Sequence, residues 1–244
     1  MAHPLIRDLE RLANKDKAAF FPRFFKTGPG QYGEGDRFLG VTVPQVREVV
    51  KRYAQSLDFT HIEGLLENPI HEVRLAGVLA LVFHFEHGEP EEQKRVMEFY
   101  LAHFAGVNNW DLVDASAAKI LGAWLWKQKR SAPLKKLARS TDLWTQRLAI
   151  VATYAFIRDQ IFEPTLQIAF ILLHHPHDLI QKAVGWMLRE VGKRDERVLR
   201  EFLDEHAAVM PRTMLRYAIE RFPVADRSRY LALGRPRSGT AISR

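Results

Sequence analysis

The chain has 244 residues, enough for one extended repeat domain or one large globular one with a sizeable buried core. Its 47% apolar content excludes a disordered protein, and the absence of cysteine excludes disulfides, thiolate metal sites and Cys nucleophiles. Lys plus Arg outnumber Asp plus Glu by 36 to 29, a formal charge of +7, which favours a polyanionic partner without requiring one.

Residues 1–14 read as an ordinary charged amphipathic stretch rather than a signal peptide. No apolar run approaches the roughly 20 residues of a bilayer span, so no membrane partner and a cytoplasmic location are expected. The loop 27–36 (TGPGQYGEGD) is glycine-rich but lacks the lysine and hydroxyl that end a phosphate-cradling loop. It reads as a turn-forming connector. After it the apolar residues recur at three and four, the helical period. Examples are Val46, Val49, Val50 and Tyr53, then Val73, Ala76, Leu79, Ala80 and Phe83. Leu148, Val151, Ala152 and Ala155 repeat the pattern, as do Val184, Met187, Leu188 and Val191. Alternating Val-rich runs are absent, so the expected class is all-α. Residues 1–233 are expected to form a single repeat domain, followed by an unfolded tail at 234–244 (GRPRSGTAISR).

Five helical segments resemble one another: HEVRLAGVLAL (71–81), LVDASAAKIL (112–121), WTQRLAIVATY (144–154), LIQKAVGWML (179–188) and TMLRYAIERF (213–222). A period of roughly 35 to 45 residues filled by paired helices marks a HEAT-like α-α superhelical solenoid, in which equivalent helices line one concave face. Aligned on their apolar pattern, the segments place Arg74, Asp114, Arg147, Lys182 and Arg216 at one position, and Arg47 extends the row. Such a row is either a solvated face or a basic concave ladder. Helical repeats stack about 10 Å apart, a spacing comparable to that of duplex phosphates, and the ladder is the reading adopted.

Asp114 is the one acid in the row. It either pairs with Arg147 or Arg74, or has a chemical task. Trp110 lies four residues before it on the same helix face, and Lys182, Trp186 and Arg189 share a stripe at i, i+4 and i+7. For either tryptophan alone, core burial is the simpler account; two flanking a lone acid point to a site.

FLGVTVPQVREVV (38–50), NWDLVDASAAKILG (109–122), LWTQRLAIV (143–151) and LIQKAVGWMLRE (179–190) together resemble the AlkD-type DNA alkylation-repair glycosylases, built from HEAT-like repeats. The resemblance runs from about Arg7 to Phe222. It implies excision of cationic lesions such as 3-methyladenine and 7-methylguanine from duplex DNA in base excision repair. It assigns the catalytic carboxylate to Asp114, aromatic contacts at the lesion's deoxyribose to Trp110 and Trp186, and a DNA-backbone contact to Arg147. Arg47, Lys182 and Arg189 match further basic positions. Asn109 stands where an aromatic often precedes the Trp-Asp pair, and Phe24, a further aromatic contact, where a tyrosine can occur.

The chemistry agrees with these residue types. An alkylated purine already carries a positive charge and leaves as a neutral base, so no general acid and no cofactor is needed. The remaining oxocarbenium-like sugar needs a fixed negative charge and an oriented water, which a carboxylate supplies. Tryptophan faces offer negative quadrupole density to the same centre. His174, His175 and His177 lie around Pro176 in a turn without a carboxylate at ligand spacing, so no metal site is expected. The expected partner is alkylated double-stranded DNA, bound by a monomer in an open groove, which would associate the protein with the bacterial nucleoid. The alternatives are a non-catalytic DNA-structure binder on the same fold and a protein-interaction solenoid.

Overall fold

The computed structural model describes residues 3–233, so the tail expected at 234–244 lies outside the described residues. Among them the regular structure is helical, and the sole β feature is an isolated bridge between Arg37 and Ile70. The chain divides into two compact units, Met1–Arg130 and Ser131–Arg244.

In the first unit the helices are α1 (Pro4–Arg11), α2 (Lys15–Phe24), α3 (Val43–Tyr53), α4 (Phe59–Leu66), α5 (His71–His87), α6 (Pro90–Ala102), α7 (Trp110–Ser116) and α8 (Ala123–Lys127). Starts are set by side chains that take up otherwise orphaned amides: Asn14 accepts from Lys17 N–H at 3.0 Å and Asp58 from His61 N–H at 2.8 Å. At α3, Pro44 sits in the first turn and Gln45 accepts from the Thr42 N–H at 2.9 Å. The core of the unit is α5, buried at every residue from His71 to Val82 and apolar nearly all round. It packs on its chain neighbours α4 and α6, and also on α3 and α7, so alternate helices stack on one another. That is the repeat-like arrangement expected from the 35-to-45-residue recurrence.

The second unit contains α9 (Ala132–Ala138), α10 (Leu143–Ala152), α11 (Tyr154–Ile157), α12 (Glu163–Ile171), α13 (Asp178–Gly192), α14 (Glu196–His206), α15 (Arg212–Ala218) and α16 (Val224–Ala232). Here α13 is the hub, packing on α10, α12, α14 and α15. Caps recur: Asp142 accepts from Thr145 N–H at 2.7 Å, and Asp195 from Arg197 N–H at 2.9 Å. Outer helix α14 is amphipathic, burying Leu199, Phe202 and Leu203 while its charged residues face water. No helix of the described residues is long and apolar enough to cross a membrane.

Candidate functional site

The local chain explains how α7 presents Trp110 and Asp114. Asn109 caps the helix in an extended conformation, its Oδ1 accepting from Trp110 N–H at 2.8 Å. Leu112, Val113 and Ser116 are buried, which leaves Trp110 and Asp114, one turn apart, half-buried on another face. Directly after α7 the helix widens into a π turn over Ala118–Gly122, with Gly122 N–H bonding to Ala117 O at 2.9 Å. Such turns are rare and concentrate near functional positions. On the neighbouring α6, burial pushes the Tyr100 phenol well up; its hydrogen bond with Ser116 opposes this, and the charge of Asp114 adds to it.

Trp110 is held by an aromatic cluster. Its ring stacks on Phe25 with centroids 5.5 Å apart, and Phe24 meets it edge-on at 5.7 Å. Phe24 is 51% exposed, so the Phe24–Trp110 pair offers aromatic surface to solvent beside α7. Phe25 in turn stacks on Phe38.

Behind Trp110 lies a buried charge cluster. His71, 2% exposed at the start of α5, faces Asp36 through Nδ1 at 3.1 Å and Asp111 through Nε2 at 2.8 Å. Arg74 bonds the other oxygen of Asp36 and donates to the Asn68 carbonyl at 2.9 Å. Asn109 completes the set, Nδ2 donating to Asp36 at 2.9 Å. Burial raises the Asp36 pKa, but hydrogen bonds from His71 and Asn109 and the charge of Arg74 outweigh it, and the carboxyl titrates below its usual range. For His71 burial again opposes the charge, and the two carboxylates prevail, raising its pKa to about 9. The cluster thus holds two carboxylates and two cations.

This placement differs from the exposed basic row expected from the repeats. Arg74 is 5% exposed and committed to Asp36, whereas Arg47 on α3 is open to solvent. Asp36 recruits Arg74 because a buried carboxylate requires a partner.

The second unit shows the same division. Arg147 on α10 is 5% exposed and donates to the Leu179 carbonyl at 2.6 Å, linking α10 to the first turn of α13. Lys182 pairs with Asp178, and Arg189 with Glu220. Arg216 on α15 is exposed. Trp186 is half-buried on α13. Its indole N–H joins Lys193 and Arg194 in stabilising the Glu190 carboxylate, whose pKa falls below its usual range although burial pushes the other way. His177 caps α13, accepting from Leu179 N–H at 3.2 Å, and His175 bonds Gln146 at 2.8 Å. These histidines are therefore turn and cap residues.

Asp36, His71, Asp111 and Asn109 escaped the sequence reading as members of one cluster. The loop ending in Asp36 looks like a connector, and Asn109 looks like a departure from a family pattern. The nearest signal was the run of polar residues opening an otherwise apolar segment, His71, Glu72 and Arg74.

These features define an all-α, repeat-packed protein in which one helix start presents an indole and a carboxylate, backed by a neutralised charge cluster. The chain matches the family model described as DNA alkylation repair enzyme over residues 5–222, and it belongs to that family. It is also similar to a solved structure described as a predicted DNA alkylation repair enzyme from Enterococcus faecalis, with a TM-score of 0.69 and 17% identity. That similarity covers 87% of this chain and 97% of the other, and at this identity it speaks for the fold. Among curated proteins no relative matches.

Proposed function

We propose that this protein is a DNA glycosylase that excises cationic alkylated purines, 3-methyladenine and 7-methylguanine, from duplex DNA. The observation that carries the reading is the pairing of Trp110 and Asp114 on one accessible face of α7, within a chain of the DNA alkylation repair enzyme family. The leaving base departs neutral, so the protein's task is to stabilise the sugar cation. Asp114 supplies the fixed negative charge and orients the attacking water. Trp110, backed by Phe25 and flanked by Phe24, turns aromatic surface toward that cation.

In the second unit, the resemblance assigns Trp186 to the lesion's deoxyribose and matches Lys182 and Arg189, with Arg47 in the first unit, to basic positions that would meet duplex phosphates; Arg216 joins them as a member of the repeat-aligned row. Arg74 and Arg147, being buried, serve that binding chiefly by fixing the helices that carry the other residues. DNA bound this way is met by basic side chains of each unit, and the lesion need not enter a deep base pocket.

The test is release of 7-methylguanine from methylated duplex by wild type and Asp114→Asn. The amide keeps the shape of the side chain and removes its charge. Excision should fall by about two orders of magnitude, on the order of 3 kcal/mol of transition-state stabilisation. Affinity for undamaged duplex should hold or rise slightly, since a charge that repels phosphate is gone. A second reading, a DNA-structure binder without excision, is favoured by Asn109, which is buried as a cap and offers no aromatic surface. Wild-type protein that binds methylated duplex but releases no base would establish that reading instead.

A further inference from the structure

We infer that His71 is a positioning residue: as an imidazolium it clamps the first turn of α7 to the 27–36 loop through Asp111 and Asp36, and so sets where Trp110 and Asp114 stand. The consequence for excision rests on the glycosylase reading above; the consequence for α7 does not.

The connectivity is direct. Asp111 is the second residue of α7, flanked by Trp110, and its Oδ1 accepts from Leu112 N–H at 2.9 Å while Oδ2 faces His71. One carboxylate thus caps the helix start and holds it to α5. On the other side of the ring, Asp36 takes His71, Arg74 and Asn109 together, so the loop, α5 and the α7 cap meet at a single carboxylate. The fit is tight there: a Cβ on Gly33 would stand 2.5 Å from the Phe25 carbonyl and 3.2 Å from Asn109 Nδ2. The imidazole lies tilted against the Phe25–Phe38 pair, with centroids 4.6 Å and 5.1 Å away, and Phe25 is the ring on which Trp110 stacks. An imidazolium on aromatic faces gains a further electrostatic attraction.

Only the charged ring satisfies this arrangement. With one proton on each nitrogen, His71 donates to both carboxylates; a neutral ring donates to one and presents a lone pair to the other. The charged groups around it are Asp36 from the loop, Asp111 from α7 and Arg74 from α5 itself, which meets His71 through the shared Asp36. Loss of the proton would leave the cluster one charge negative in a buried setting, with Asp111 repelling Asp36 and Asp114.

The experiment compares wild type, His71→Gln and Asp111→Asn. Gln lacks the charge and carries both donors on one nitrogen, so it cannot donate from opposite ends to the two carboxylates, while Asp111→Asn is nearly isosteric and guards against a His71 variant that fails to fold. Hydrogen exchange of the α7 amides should quicken at least about tenfold in both variants, the loss expected for a buried charge-assisted hydrogen bond, with α3 and α4 changing by less than about twofold. In protein labelled with 15N-histidine, both His71 nitrogens should remain protonated at about pH 8, the signals assigned by their loss in His71→Gln. Excision of 7-methylguanine at saturating protein should fall at least about tenfold while affinity for undamaged duplex stays within about threefold, a split that general destabilisation would not produce.

Unchanged α7 exchange in both variants, a neutral His71 at about pH 7, or loosening shared equally by every helix of the unit would each overturn the clamp. Loosened α7 in a protein whose wild type excises nothing would support the clamp and overturn the glycosylase reading.

Discussion

Side chains of like charge do different work in this protein according to what surrounds them. Arg74 and Arg47 were equivalent members of one basic row on sequence grounds, yet only Arg47 faces solvent. Arg74→Ala should cost about 3 kcal/mol of stability, because Asp36 would remain buried with less compensation. Arg47→Ala should change stability by less than about 0.5 kcal/mol, and denaturant unfolding of the two variants checks the contrast. Equal small effects would mean that the buried cluster contributes nothing. His71 gives a second handle. Its folded-state pKa of about 9 lies above the unfolded value of 6.5. The charged form therefore contributes stability that is fully present below the unfolded value and lost as pH rises through about 9. The melting temperature of wild type should fall between about pH 7 and pH 10, and His71→Gln should lack that component of the fall. A wild-type curve parallel to the variant's would contradict the assignment.

Among the elements, helices were legible from their apolar period, and their capping residues lie where short polar side chains precede apolar runs. The segment from Leu112 to Leu121 reads as one regular helix, but the structure interrupts it with the π turn after α7, a change of hydrogen-bond register that carries no sequence period. The glycine-rich loop is a connector, as expected, and its continuation has a further role. Glu72 on α5 accepts from the N–H groups of Leu39, Gly40 and Val41 at 3.1, 2.8 and 3.1 Å, fixing the entry to α3. Gly40 adopts φ +81°, and a Cβ there would lie 2.1 Å from the Asn14 carbonyl. Gly40→Ala should therefore destabilise by more than about 2 kcal/mol, combining left-handed strain with a backbone clash. Gly35→Ala is the control: φ is +90° but the space is open, so only the conformational cost of about 1 to 2 kcal/mol should appear. Equal losses at the two positions, measured by thermal melts, would show that the close approach to α2 is not limiting.

For the whole molecule the formal charge of +7 and the family membership point to one measurable property, the salt dependence of duplex binding. Arg47 and Arg216 lie in different units and are both exposed, so each alanine variant should weaken binding to any duplex and lower the salt slope by roughly one. A binding constant indifferent to salt would favour an apolar protein interface instead. What the sequence by itself determined was the all-α class, the repeat recurrence, the family and the helix that carries Trp110 and Asp114. Those features are local: a period of three and four, a cap and a motif of consecutive residues survive without knowledge of the fold. Only the tertiary structure decided which cations are free to meet a polyanion and which are spent inside. Arg74 is buried because Asp36, 38 residues earlier, folds back against it, and Arg147 reaches across 32 residues to donate to the Leu179 carbonyl. Burial and pairing across such distances depend on which surfaces the packed helices bring together, and the energy of a charge depends on that packing far more than on its neighbours in the chain.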